Sequence, residues 1–540
     1  MLQKDAQCTS LNTSSNETLD FIQKSLARCR AEHSACSLAM PNASWYPTRL
    51  IQVSQDSVNL VESAETDIVG SYATLSHCWG GAEILKLKKG NLSDLKQDVV
   101  VSSLPQTFKD AIIVIRNLGI PYIWIDSLCI IQDSDEDWQR EARTMLKVYE
   151  HATCNIAATH SPNSFGGLFA DRNPRVLDAE SIEIDNGVLV GRFHLVDVDY
   201  FTQEIDDAPL NRRCWVTQER VLSTRIIHFA SEQVIWDCNE LTACESLPQG
   251  TNTWPDSPST HFNIGCKLGS TFLTPTDTVD KGLGKWARIV DTYSACGLTV
   301  LTDKLMAISG VADHLRNNFS LEYCVGLWRS RLEIQLAWYV REPQPGRSVR
   351  NDLAPSWSWA SVNGSVDLQQ IDLYEPYDIK PLVSIVDVDL KRQVENGRGE
   401  KVMGFLRMRC SLNPVSLQGG PKDYRLTGPG MEHAKQVWAD DSKTVGGENL
   451  FVVPLFDLQT PYSLEDTWKI SSEVRGIIVQ AVESKKGIFT RCGHVFLAGR
   501  IDEITKAFDP SYEGLWSLQG KAGFPCQEYD SISGHLITLI

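Results

Sequence analysis

A carboxylate, a hydroxyl and a thiol follow one of the most apolar stretches of the chain. Residues 122–125 read YIWI, and Asp126, Ser127 and Cys129 come just after them. A short run that is apolar at every position predicts a strand buried on both faces. Ligands of open parallel sheets bind beyond the carboxyl ends of the strands. We therefore expect the side chains after residue 125 to lie at a binding edge.

Two further apolar runs, residues 72–75 and 154–159, also end in polar residues. The first is followed by Ser76, His77, Cys78, Trp79 and Gly80. Between the runs, apolar residues recur three or four positions apart in residues 108–118 and 138–149, which predicts helices. Strands that alternate with helices predict a parallel sheet with right-handed crossovers. Such a sheet brings the ends of the three strands to one edge.

Two carboxylates are the candidate catalytic residues, Asp126 and Glu219. Asp126 could bind a ribose hydroxyl or hold a water, although aspartate also suits a turn. Glu219 lies in the stretch RRCWVTQER, residues 212–220. A carboxylate there could stabilise the oxocarbenium-like state of N-glycosidic cleavage or orient water. The alternative is a salt bridge to one of the arginines of the same stretch.

The other candidate site residues would bind a ligand rather than react with it. They are Ser76, Trp79, Gly80, Ser127, Cys129 and Trp215. Gly80 would let the backbone approach a phosphate, although neither a dinucleotide fingerprint nor a P-loop is present. The tryptophans could line an aromatic pocket or fill the core. His77 and Cys78 cannot pair directly, because adjacent strand residues point to opposite faces.

The cysteines predict buried thiols and no metal site. There are 15 of them, and no CxxC pair occurs. Cys238 and Cys244 have no histidine pattern beside them, so we expect no zinc. Scattered thiols and a polar start without an apolar signal segment are typical of a reducing compartment. We therefore expect a cytoplasmic protein.

Charge and hydropathy exclude two classes of partner. The net charge of −17 argues against nucleic acid and against an anionic membrane surface. The longest apolar run, residues 111–131, is interrupted by polar and charged residues and does not predict a membrane span.

Composition and periodicity divide the chain into five segments. These are a helical lead-in (1–48), a main α/β domain (49–240), a loop or insertion (241–284), a helical region containing PSWSWAS (285–365) and a mostly β C-terminal domain (366–540).

Three blocks of the main domain resemble the fungal heterokaryon incompatibility (HET) domain. They are residues 72–80, 104–145 and 213–220. Each block alone is a weak signal, and together they are highly specific. The resemblance is strongest over residues 72–219, and weaker similarity to long HET proteins reaches the C-terminus. Thr217 departs from the pattern, since the family usually has a larger apolar residue there.

The resemblance implies a parallel-sheet fold similar to that of TIR domains, in a cell-death effector of fungal self/non-self recognition. Some TIR domains hydrolyse the nicotinamide–ribose bond of NAD. The spacing from Trp215 to Glu219 loosely resembles the Trp-Cys-x-x-Glu helix of those enzymes. NAD is thus the implied substrate, and no bound cofactor is firmly implied. The implied partners are other incompatibility or signalling proteins and a second copy of the chain.

Two other functions stay open at this point. The domain could signal death through assembly without catalysis, or a HET-family protein could have been recruited to secondary metabolism. The sequence does not decide whether the protein is an enzyme.

Overall fold

The chain forms two compact units. The first comprises Met1–Thr274, Cys296–Leu298 and Met306–Val311, and the second comprises Pro275–Ala295, Thr299–Leu305 and Ala312–Ile540. The computed structural model describes residues 10–38, 45–81, 83–177, 181–188, 190–194, 200–251, 277–341, 352–368, 378–395, 399–420, 423–428, 431–441, 447–464, 467–483, 485–500, 525–530 and 534–540. The finer division into five segments stays a prediction.

A large sheet organises the first unit. Within the described residues its ten strands are β1 (Arg49–Val53), β2 (Ser57–Glu62), β3 (Tyr72–Ser76), β4 (Val99–Val100), β5 (Tyr122–Ile125), β6 (Asn155–Ala157), β9 (Arg225–Phe229), β10 (Val234–Cys238), β11 (Thr242–Cys244) and β12 (Leu247–Thr251). Their order across the sheet is β12-β11-β10-β9-β6-β3-β5-β1-β2-β4. Strands β7 (Ser181–Asp185) and β8 (Val190–His194) form a separate antiparallel pair.

The sheet is parallel at its centre and antiparallel at both sides. Strand β3 runs parallel to β5 and β6, and β6 runs parallel to β9. All the other pairs are antiparallel. The predicted α/β class is confirmed, and the strands of residues 72–159 pair in parallel as expected, but the sheet as a whole is mixed. Short turns join β1 to β2 and β9 to β10, and such turns connect only antiparallel strands.

Two of the strands lie where a loop or insertion was expected, in residues 241–284. Strands β11 and β12 extend the sheet at its edge there. Residues 252–276 of that predicted segment lie outside the described residues.

Helices connect the central strands. The helices of the first unit are α1 (Asn16–Glu32), α2 (Ser34–Leu38), α3 (Leu92–Leu95), α4 (Gln106–Asn117), α5 (Asp126–Cys129), α6 (Asp135–Glu150) and α7 (Cys214–Leu222). Helix α4 buries Phe108, Ala111 and Ile115. Helix α6 begins at a Ser134 cap whose hydroxyl accepts a hydrogen bond from the Asp137 N–H. The two amphipathic patterns thus form the expected crossover helices.

A buried ion network joins β1 to α6. Arg49 is 1% exposed and donates to both carboxylate oxygens of Asp137 and, at 3.0 Å, to the carbonyl of Cys129. Its Nη2 lies 3.7 Å from Glu141. A buried charge that loses its partner costs several kcal/mol, so these contacts hold α6 against the turn that follows β5.

The second unit is mostly β, as expected for the C-terminal part. Its strands are β13 (Tyr323–Cys324), β14 (Leu327–Trp328), β15 (Tyr339–Val340), β16 (Val366–Asp367), β17 (Asp378–Pro381), β18 (Ser384–Glu395), β19 (Gly399–Cys410), β20 (Asn413–Gln418), β21 (Arg425–Thr427), β22 (Ala434–Ala439), β23 (Leu450–Leu464), β24 (Thr467–Ala481), β25 (Ile488–Arg500), β26 (Glu528–Asp530) and β27 (Gly534–Leu539). Strands β17 to β27 form one sheet among the described residues.

The described residues after 277 contain three further helices, and tryptophans fill the core of the second unit. The helices are α8 (Val279–Ala295), α9 (Ser309–Phe319) and α10 (Leu332–Gln335). Both tryptophans of the PSWSWAS segment, Trp357 and Trp359, are fully buried. The guanidinium of Arg491 lies 3.4 Å from the ring of Trp338. None of the described helices combines the length and apolarity needed to cross a bilayer.

Candidate functional site

The ends of three parallel strands bring most of the predicted polar residues together. Ser76 is the last residue of β3, and Asp126 follows β5 directly. The register pairs Leu75 with Ile125 and Ser76 with Ala157 of β6. The carboxyl ends of β5, β3 and β6 therefore lie side by side, at the edge where ligands of such sheets bind.

The carboxylate of Glu219 lies at this edge and accepts hydrogen bonds from neighbouring hydroxyl groups. The Ser76 hydroxyl donates to Glu219 Oε2, and a hydrogen bond from Tyr149 also stabilises the carboxylate. Asn155 Nδ2 donates to Ser76 Oγ at 2.9 Å, and the Thr74 hydroxyl donates to Asn155 Oδ1 at 3.0 Å. The carboxylate is thus fixed by side chains from β3, α6 and α7.

Burial sets the protonation of Glu219. Glu219 is only 7% exposed, and this burial raises the pKa of its carboxyl group. The nearby charge of Arg213 and the Ser76 hydrogen bond lower the pKa, and the charge of Asp126 raises it. The balance moves the titration of Glu219 toward neutral pH, as a general base requires.

The arginines beside Glu219 have other hydrogen-bond partners. Arg220 donates to Asp206 Oδ1 from both terminal nitrogens, at 3.1 Å each. Arg213 donates to the main-chain carbonyl of His77. Arg213 therefore acts on Glu219 through its charge rather than through a direct ion pair.

Asp126 is the more accessible of the two carboxylates. Its side chain is 27% exposed. The indole N–H of Trp79 donates to both carboxylate oxygens, at 3.2 and 3.0 Å, and the Ser127 N–H donates to Oδ1 at 2.6 Å. The ammonium of Lys86 lies 4.7 Å above the Trp79 ring. These contacts hold the Asp126 carboxylate in place at the carboxyl end of β5.

His77 is a buried neutral imidazole. Its Nδ1 lies 3.8 Å from Asp126 Oδ1, and its ring packs edge-on against Phe108 with centroids 5.1 Å apart. Burial lowers its pKa to about 4, against the opposing charge of Asp126. Burial also raises the pKa of the neighbouring Cys78. Neither side chain is activated as the partner of the other, because neither ring nitrogen of His77 has a side-chain hydrogen-bond partner among the described residues.

Two predicted binding residues are enclosed by the protein in this arrangement. Ser127 and Cys129 are both completely buried. The chain after β5 turns at once into the short helix α5, which directs both side chains inward. Burial raises the pKa of the Cys129 thiol to about 12, so the thiol stays protonated.

Close packing explains why residue 80 is glycine. Gly80 has φ +67°, and a Cβ there would lie 2.2 Å from the Asn163 Cβ. Gly80 is exposed, but the positive φ and the close contact with Asn163 are sufficient reasons for a glycine there, without a bound phosphate. Trp215 is half-buried and packs edge-on against Trp138, with ring centroids 6.0 Å apart. These two rings form a partly exposed aromatic pair.

Sequence reasoning did not single out Tyr149 or Asn155 as members of the network, and it considered Arg213 only as a possible ion-pair partner of Glu219. Tyr149 fits the apolar face of α6, which hid its hydroxyl, and Asn155 lies in a run read simply as a buried strand. The available signal was a polar atom inside an apolar pattern, because buried polar groups need partners.

The residues of this network lie within the range of a family match. Residues 72–219 match the family model described as Heterokaryon incompatibility protein (HET). No curated protein and no solved structure shows significant similarity to the chain. Every residue from Ser76 to Glu219 lies inside the matched range. The chain therefore contains a HET domain, at residues 72–219.

Proposed function

We propose that the HET domain cleaves the nicotinamide–ribose bond of an NAD-type nucleotide, and that this reaction drives cell death. The match to the HET family model indicates a heterokaryon-incompatibility-type function. Catalysis, cell death and a cytoplasmic location are our additions to that assignment. The parallel centre of the sheet supports the likeness to TIR domains, because Asp126 follows β5 and the Glu219 carboxylate accepts a hydrogen bond from Ser76 at the end of β3.

The single observation that carries the proposal is the pair of carboxylates in unlike environments. Glu219 is buried and its pKa is raised, whereas Asp126 is partly exposed. The two groups also interact through charge, because the negative charge of Asp126 raises the pKa of Glu219. Environments that separate the behaviour of two carboxyl groups are the usual basis for assigning acid–base roles.

The geometry supports a separate role for each of the two carboxylates in the reaction. As the C–N bond breaks, its electron pair leaves with nicotinamide and the ribose becomes an oxocarbenium-like cation. Asp126 holds a ribose hydroxyl and offsets this positive charge. Glu219 accepts a proton from the attacking water, and Ser76 orients its carboxylate. The products are nicotinamide, ADP-ribose and one proton, which balances the atoms and charge.

The aromatic groups would bind the nucleotide. Trp79 is half-buried and is hydrogen-bonded to Asp126, so a ring stacked there would lie beside the exposed carboxylate. The half-buried pair of Trp138 and Trp215 offers a second surface for a base. Aromatic stacking contributes about 1–3 kcal/mol per base in nucleic-acid sites.

One observation favours the non-catalytic alternative. Glu219 is nearly enclosed and its carboxylate accepts hydrogen bonds from neighbouring hydroxyls, as a structural carboxylate does. In that case the domain would signal through contacts with other incompatibility proteins or with a second copy. This alternative predicts that death survives the loss of the carboxylate.

Expression in a fungal host separates the two functions. Viability and cellular NAD are measured after induction of wild type, Glu219→Gln, Asp126→Asn and a control, Glu136→Gln. Glu136 is an exposed acid in the first turn of α6. We expect wild type and the control to deplete NAD and kill, and both site variants to do neither. Killing by the site variants at normal protein levels, with NAD unchanged, would favour assembly.

A further inference from the structure

Four side chains outside the strand-edge network gather at one point of the first unit. They are Cys29, His33, Cys36 and Cys238. Their three sulfur atoms and one ring nitrogen all lie within 4.8 Å of one another. The three thiols are buried, and the histidine is half-exposed. Three sulfurs and an imidazole are a ligand set of structural zinc sites.

The spacing of these atoms fits a tetrahedral ion. Zinc–sulfur bonds of about 2.3 Å and zinc–nitrogen bonds of about 2.0 Å place neighbouring ligand atoms roughly 3.4–3.8 Å apart. Cys238 Sγ and His33 Nδ1 are already 3.3 Å apart. The widest pair allowed by the 4.8 Å limit needs to close by only about 1 Å.

Local structure explains how three of the ligands meet. Cys29 lies in the last turn of α1, His33 caps that helix and Cys36 lies in α2. The four-residue step from Cys29 to His33 keeps both on one helical face. The His33 N–H donates to the Cys29 carbonyl at 3.3 Å, so the last helical hydrogen bond holds His33 over the final turn, although its own backbone is extended.

The fourth ligand comes from a distant strand and is held in place independently. Cys238 is the last residue of β10. Two residues later, the Glu240 carboxylate accepts hydrogen bonds from the Ala35 N–H and, at 3.4 Å, from the Ser34 hydroxyl at the start of α2. These hydrogen bonds fix the turn after β10 against α2 without an ion. The side chain of Cys238 is therefore held beside the other three ligands before zinc binds.

The electrostatic surroundings suit bound thiolates. Three thiolates and a neutral imidazole around a divalent zinc ion carry a net charge of about −1. Arg225 is 2% exposed, and its Nε donates to Cys29 Sγ at 3.1 Å. A buried cation that donates to a ligand sulfur offsets this charge and orients the ligand.

We propose that Cys29, His33, Cys36 and Cys238 bind one structural zinc ion. Binding displaces three thiol protons to solvent and leaves the oxidation states unchanged. Sulfur ligands favour zinc over magnesium or calcium, which prefer oxygen. The ion cross-links α1 and α2 to the end of β10, 205 positions away from His33. This assignment departs from the expectation of no metal, which considered Cys238 only with Cys244.

The test counts zinc on the full-length protein. Wild type, a double variant Cys36→Ser/Cys238→Ser and a control Cys244→Ser are incubated with zinc, freed of unbound metal and measured by plasma mass spectrometry. Cys244 is a buried thiol on β11 outside the cluster. We expect about one zinc per chain in wild type and the control, and almost none in the double variant.

Two readouts on wild type keep the test decisive if the double variant misfolds. A zinc chelator should lower the Tm of wild type and of Cys244→Ser. Cobalt(II) in place of zinc should give the visible absorption of a tetrahedral thiolate site. A wild type that takes up no zinc, a Tm unchanged by the chelator, zinc kept by a folded double variant, or a disulfide among these cysteines under reducing conditions would overturn the proposal.

Discussion

The hydroxyl of Ser76 donates a hydrogen bond to the carboxylate of Glu219, which lies 143 positions further along the chain. This bond joins the end of β3 to the middle of α7. Asn155 extends it to β6, because its Nδ2 donates to the same Ser76 oxygen at 2.9 Å. One serine thus links β3 and β6 to the candidate general base on α7.

Removal of the Ser76 hydroxyl should destabilise the domain. Ser76→Ala leaves the buried Glu219 carboxylate without one of its donors, which costs about 1–3 kcal/mol. Ser103 is exposed and its hydroxyl donates to the Val100 carbonyl, so Ser103→Ala should stay within about 0.5 kcal/mol. Urea unfolding measures both. Equal losses in the two variants would contradict a special role for Ser76.

The stability contribution of Glu219 should decrease as pH rises. Burial raises its pKa above the ordinary 4.5, so above pH 4.5 the folded state keeps a proton that the unfolded state has released. Stability then falls as pH rises through this range. Glu219→Gln cannot ionise, so its stability relative to wild type should increase from pH 4.5 toward neutral. Urea unfolding at a series of pH values checks this, and a constant difference would refute the raised pKa.

His77 should act in the opposite direction over an overlapping range. Its pKa falls from 6.5 to about 4 on burial, so the unfolded state takes up a proton first as the solution is acidified. The contribution of the neutral His77 imidazole to the free energy of unfolding is fully present above pH 6.5. It decreases by about 3 kcal/mol toward pH 4. His77→Phe keeps a ring against Phe108 and should lack this loss. A variant with the acid sensitivity of wild type would contradict this.

Adjacent glycines offer a matched comparison of packing and backbone strain. Gly80 and Gly81 have φ values of +67° and +68°, but only Gly80 meets Asn163. Gly81→Ala should cost the left-handed strain of about 1–2 kcal/mol. Gly80→Ala should add a steric cost of about 1–3 kcal/mol. Thermal or urea unfolding gives both values. Similar losses would mean that the loop at Asn163 moves away freely.

The central elements were predictable because their signals are local. Strand β5 is apolar throughout, β3 is mostly apolar, and the apolar face of α4 repeats at helical spacing. The strand order is a tertiary property that no local pattern contains. The antiparallel pairing of the flanking strands was therefore not anticipated, although β1 was recognised as a strand.

The site was predictable in outline only. Strand ends located Ser76 and Asp126 correctly at one edge, since parallel strands share their direction. The burial of Ser127 and Cys129 depends on the short helix α5, which polar residues after a strand do not announce. Likewise, residues 29–36 carry a Cys-x₃-His-x₂-Cys pattern, but only the fold brings Cys238 beside it.

The most direct test of the account is nicotinamide release from NAD by the purified full-length protein. Wild type, Glu219→Gln and Glu136→Gln are compared at equal concentration, over a range that reaches the onset of self-association, with folding verified by Tm. We expect release by wild type and Glu136→Gln, and a loss of about 10²–10⁴-fold in Glu219→Gln. Equal rates in wild type and folded Glu219→Gln, or no release by folded wild type at any concentration, would contradict the proposed catalytic function.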